Sequence, residues 1–146
     1  MAAWNLVSRD QVQGGEALIL LLPGKGVEVT GAAWVKTDDD GQPYLYVVSP
    51  TVEDAGPLEA ASRLVAALNE LDQTPADPFQ RIDPYGIRLV SPSDPVAGWV
   101  RKWHERRADD RPTFHSGGSV NGVPLDGAYL YPAAMFAPPA ATAPSA

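Results

Sequence analysis

His115-Ser116-Gly117-Gly118 brings a base, a nucleophile and glycine N–H donors together in one short stretch. With His104 and the aspartates elsewhere, it holds the residue types of a hydrolytic triad. Spacing argues against that chemistry, because adjacent side chains of a strand point to opposite faces and the Gly-x-Ser-x-Gly elbow does not occur. His104 and His115 are not an i, i+4 pair, and a chain without cysteine has no thiolate to complete a zinc set. No metal and no cofactor is therefore expected.

Two further stretches resemble ligand loops and fail on spacing. In Asp38-Asp39-Asp40-Gly41, three carboxylates offer the hard oxygens that calcium prefers. With Gly41 in its loop position, however, Lys36 and Val47 stand where an EF-hand needs an acid and a bidentate Glu. A solvated hairpin turn is the better reading. Pro23-Gly24-Lys25-Gly26 lacks the Gly-x4-Gly-Lys-Ser/Thr spacing of a phosphate loop, and a β pattern rather than a helix follows it.

Cations and aromatic residues are more concentrated. Five of the 11 Lys and Arg residues fall between Arg101 and Arg111, with Trp99 and Trp103 close by. On a helix, Arg101, Lys102 and Arg106 share an outward face and make a candidate anion site, although Glu105, Asp109 and Asp110 offset them. The tyrosines repeat in two strand-like runs, PYLYV at 43–47 and AYLYP at 128–132. Alternation puts Tyr44 with Tyr46 on one face of a strand, and Tyr129 with Tyr131 likewise. A tyrosine face left uncovered by a helix would be a partner-binding surface.

The elements that must position these residues follow from periodicity. EALILLL at 16–22 reads as a buried strand after a Gly-Gly break. Alternation over 27–36 predicts a second strand with a bulge near Gly31 and Ala32, and Tyr44 to Val48 a third, with the acidic turn as their hairpin. Pro57 suits a first helical position, and Leu58, Ala61, Leu64, Val65, Leu68 and Leu71 recur at spacings of three and four. They predict a helix with that stripe on the core. Residues 72–86 hold three prolines and read as a loop.

Ile87 to Val90 is a strand, and Ser93 or Asp94 caps a second helix with Pro95 at its first position. Val96, Trp99, Val100 and Trp103 form its apolar stripe, with Gly98 either a point of close approach or a weakness. A closing hairpin follows, with Asn121-Gly122 and Asp126-Gly127 as its turn signals.

The expected fold is a single α+β domain over residues 1–131, with a Pro/Ala-rich tail over 132–146. Its sheet is mainly antiparallel, in the order β-β-β-α-β-α-β-β, with both helices on one face. If the strands at Tyr44 and Ile87 instead pair in parallel through a crossover, a three-layer arrangement results.

The length is enough to bury a core without staples, and the 45% apolar and 20% charged fractions are those of a folded chain. A net charge of −7 disfavours nucleic acid and anionic membrane, and the longest apolar run, 17–23, is too short to span a bilayer. No charged segment precedes that run as in a secretory leader, so a cytoplasmic location is expected. The function expected is a non-enzymatic protein–protein interaction or accessory module, binding a protein partner or itself through Tyr44, Tyr46, Tyr129 and Tyr131. The alternative is a small enzyme or phosphate-ligand binder using His115, Ser116 and the basic second helix.

Overall fold

The computed structural model describes residues 9–37, 42–73, 86–106, 113–115, 119–120 and 123–136. These form an α+β fold around a mixed sheet. Its strands are β1 (Gly31–Thr37), β2 (Tyr44–Val48), β3 (Ile87–Val90), β4 (Thr113–His115), β5 (Ser119–Val120) and β6 (Val123–Leu130). Its helices are α1 (Arg9–Leu21), a single turn α2 (Thr51–Asp54), α3 (Pro57–Gln73) and α4 (Pro95–Arg106), with 3-10 turns at Leu22–Lys25 and Ala133–Phe136. The strands lie in the order β3-β2-β1-β6-β4, and β5 pairs with β6.

All pairings are antiparallel except that of β2 with β3. The sheet is thus mixed, and the crossover between its two parallel strands carries α3. Both strands run into a Ser-Pro turn, Ser49-Pro50 and Ser91-Pro92, and the turns emerge side by side, with the Ser49 N–H donating to the Val90 carbonyl at 2.9 Å. At the first turn the Thr51 N–H donates to Ser49 Oγ (3.1 Å) and the Glu28 N–H to Thr51 Oγ1 (3.0 Å), so the buried hydroxyls of Ser49 and Thr51 are satisfied.

From there the two helices part to opposite faces, which corrects the expectation that they share one. On one face Leu64 and Ala67 of α3 pack with Leu18, Ile19 and Leu22 against Ala32, Trp34, Leu45, Val47, Tyr129 and Tyr131. On the other, Val96 and Val100 of α4 pack on Ala33, Val35, Leu125, Ala128 and Leu130, flanked by Tyr46, Trp99 and Trp103. Period-two alternation along β1 decides which core each residue joins. Both faces of the central strands are buried. Each large aliphatic side chain removed from water contributes about 1.5–3 kcal/mol before entropy is subtracted.

Where the sequence predicts a strand over 16–22, the chain continues α1. Leu18, Ile19 and Leu22 recur at helical spacing and are buried, whereas Leu20 between them is 66% exposed, which a two-sided buried strand would not allow. Gly14 and Gly15 are buried inside the helix rather than breaking it. The expected strand over 27–36 shortens to Gly31–Thr37. The reason is that the Val27 N–H is taken by the Leu22 carbonyl and that of Glu28 by Thr51 Oγ1. Its irregularity falls between Lys36 and Thr37, not at Gly31 and Ala32.

Helix α3 begins at Pro57 as its sequence predicts, but it is rotated from the expected stripe. Ala60, Leu64 and Ala67 are buried, Leu68 and Leu71 are partly buried, and Leu58 (85% exposed) and Val65 (52%) face outward. In α4, Asp94 supplies the cap, its Oδ1 accepting from the Val96 N–H at 2.9 Å. A Cβ at Gly98 would meet nothing within 4 Å, so no close approach requires this glycine. Asp126-Gly127 lies inside β6 rather than in a turn, and Asp126 pairs with Lys36 across the sheet. The Asp38–Gly41 turn and Asn121-Gly122 lie outside the described residues.

Candidate functional site

Register separates the two tyrosine pairs. Tyr129 stands opposite Trp34 on β1, whereas Tyr46 stands opposite Ala33, so the pairs occupy opposite faces of the sheet. Tyr129 is 6% exposed and Tyr131 1%, beneath α1, with their rings edge-to-face at 5.1 Å. Trp34 Nε1–H donates to the Tyr131 hydroxyl at 3.0 Å, and that hydroxyl donates to the Val12 carbonyl at 2.7 Å. Burial pushes the Tyr131 pKa far up, with only partial relief from the Trp34 hydrogen bond, so the group stays a proton donor. Tyr129 shifts the same way through burial and the nearby Glu16 charge. These two residues are packing groups, and no part of the expected tyrosine surface that includes them is open to a partner.

Tyr44 and Tyr46 are only partly buried. The parallel pairing of β2 with β3 aligns Tyr46 with Arg88, placing that exposed arginine on the same face. Its guanidinium carbon lies 4.1 Å from the Tyr44 ring centroid and 5.7 Å from that of Tyr46, and its Nη1–H donates to the Tyr46 hydroxyl at 3.2 Å. A cation held over aromatic faces in this way is favourable and keeps the long side chain in one arrangement. Sequence reading missed Arg88. Alternation of Ile87 and Leu89 toward the core marks it as outward-facing, but only strand pairing puts it beside the tyrosines.

On α4, Arg101, Lys102 and Arg106 are exposed. Arg106 lies 5.5 Å from the Trp103 ring, which itself meets Trp99 edge-on at 6.4 Å. Arg101 lines a cavity of about 120 Å³ together with Thr30, Gly31, Val48, Pro92, Ala97 and Val100. His115 belongs to β4, where its backbone pairs with Ala128, and Ser116 lies outside the described residues. Among the described residues no group of three or more His, Asp or Glu side chains is placed to hold a metal ion, and no helix is long and apolar enough to cross a membrane.

His104 has a structural setting. Its Nε2–H donates to the Tyr131 carbonyl at 3.2 Å, and its ring stacks on Phe136 at 5.6 Å. Met135 and Phe136 also pack on the first core, so the turn at Ala133–Phe136 ties the end of the sheet to α4. Burial lowers the His104 pKa below its ordinary 6.5, opposed in part by the hydrogen bond to Tyr131. The folded chain thus prefers the neutral ring and the unfolded chain binds the proton more readily. The contribution is complete above the unfolded value and is lost as pH falls below it. Between about pH 7 and about pH 5.5, the thermal midpoint is expected to fall more steeply for the parent chain than for His104→Gln, measured by scanning calorimetry. Parallel slopes would refute it.

Comparison with protein-family models, with curated proteins and with solved structures finds no match.

Proposed function

We propose that this chain is a non-enzymatic interaction module that engages a protein partner through Tyr44, Tyr46 and Arg88. The observation that carries the reading is the arginine laid over two tyrosines at the surface, while Trp34, Tyr129 and Tyr131 are consumed by the core. Tyrosine and arginine are the residue types that dominate binding energy at protein interfaces. Holding three such side chains in place before contact also reduces the ordering cost of association, about 0.5–1.5 kcal/mol for each immobilised side chain.

The test is quantitative affinity purification from the native host, comparing the parent chain with Tyr44→Ser/Arg88→Ser. Arg88 is exposed and Tyr44 only partly buried, so the variant should keep a cooperative thermal transition at a somewhat lowered midpoint. At least one partner enriched by the parent chain is expected to be lost from the variant, and sedimentation at rising concentration separates a foreign partner from a second copy. An unchanged partner set together with an unchanged sedimentation profile would overturn the reading.

A further inference from the structure

The cavity under Arg101 has a composition that the tyrosine surface does not explain. Four of its walls are apolar, from Val48, Pro92, Ala97 and Val100, and Gly31 adds no side chain. Thr30 directs its hydroxyl to the Val48 carbonyl, 3.4 Å away. Among the described residues lining it, Arg101 is the only charged one. Ala97 and Val100 are buried walls on one turn of α4, and Arg101 follows them at the exposed rim. The space, about 120 Å³, is slightly less than an apolar cavity that accepts benzene, roughly 150 Å³.

We infer that this cavity binds a carboxylate carried on a small branched apolar group, with the hydrocarbon against Val48, Ala97 and Val100 and the carboxylate on Arg101. Chemistry on both sides supports the match. A guanidinium presents two parallel N–H groups in the geometry of a carboxylate, and hydrocarbon walls beside the pair reduce competition from water. A ligand of four to five carbons fills the space, whereas a phosphate or nucleotide would leave hydrocarbon walls against polar oxygens. Such a group is supplied either by a free short-chain acid or by the C-terminal valine of a peptide, which share the recognised chemistry. The inference stands apart from the tyrosine reading.

The experiment is an amide-resonance titration of the isotope-labelled full chain with isovalerate, with uncharged isovaleramide, and with a tetrapeptide ending in valine as acid and as amide. Isovalerate is expected to shift Gly31, Val48 and Ala97 saturably in the millimolar range, the affinity a ligand of this size can reach. Isovaleramide should bind at least about tenfold more weakly, and Arg101→Gln, at an exposed position, should reduce the acid to the level of the amide. Ala97→Val should abolish the response by filling the space. Tighter binding of the free acid or of the peptide acid each supports the site and identifies its source. No saturable shift with either acid, or equal responses to acid and amide, overturns it.

Discussion

Gly15→Ala is expected to destabilise the fold by about 2 kcal/mol, although alanine is the better helix former by about 1 kcal/mol. A Cβ there would stand 2.2 Å from the Tyr131 hydroxyl and 3.2 Å from Trp34 Nε1. Neither atom is the loose end of a flexible chain, since both belong to the relay that runs from Trp34 through Tyr131 to Val12. To admit the methyl group, α1 must lift from the sheet or the relay must break. Gly98→Ala is the matched control, inside α4 with open space around its Cβ. It should stabilise by about 0.5–1 kcal/mol. Denaturant midpoints for the two variants are expected to move in opposite directions, and a common direction would contradict the packing described for α1.

Tyr131→Phe has the second large effect. It removes one hydroxyl and leaves the buried indole N–H of Trp34 and the carbonyl of Val12 without their shared partner. An unsatisfied buried group costs about 1–3 kcal/mol, so a loss of about 2–3 kcal/mol is expected. Tyr46→Phe deletes the same atom at the surface, where Arg88 can turn to water, and should cost less than about 1 kcal/mol. The two large effects are not additive, because the atom that alanine would strike at position 15 is the one removed at 131. In the Tyr131→Phe background Gly15→Ala should therefore lose at least about 1 kcal/mol of its penalty. Chemical unfolding of the four members of this cycle measures that coupling, and strict additivity would show that the methyl group and the hydroxyl do not compete for the same space.

Local signals account for the parts that the sequence makes readable. Pro57 at the start of α3, Asp94-Pro95 at the start of α4 and alternation in Tyr44–Val48 and Ile87–Val90 each depend on neighbours along the chain, and the structure follows them. What local signals do not carry is pairing. Each tyrosine pair shares a face, as alternation requires, but which pair lies beneath α1 and which on the side of α4 depends on Tyr129 falling opposite Trp34 and Tyr46 opposite Ala33. A shift of one residue would exchange them.

The two-face arrangement has the same origin. Parallel pairing of β2 with β3 sets the two Ser-Pro turns side by side, yet α3 and α4 leave them in opposite directions. Helix α1 was illegible for another reason. A Gly-Gly pair before a short apolar run is ordinarily a break, and here the second of the two, Gly15, is what lets a helix approach the Tyr131 hydroxyl. As for the candidate site, Tyr44 and Tyr46 were readable from alternation, while Arg88, more than 40 residues along the chain, reaches them only through the parallel ladder.

The division of the tyrosines between a fully buried pair and a partly buried one rests on α1 and α3 covering one side of the sheet and α4 the other. Side-chain proton contacts measured by two-dimensional NMR test it most directly. Contacts from the Gly15 α-protons to the Tyr131 ring, and separately from the Val100 methyl groups to the Gly31 α-protons, with none between Val100 and Leu64, are the expected result. Contacts between the methyl groups of Val100 and Leu64 would place α3 and α4 on one face and contradict the account.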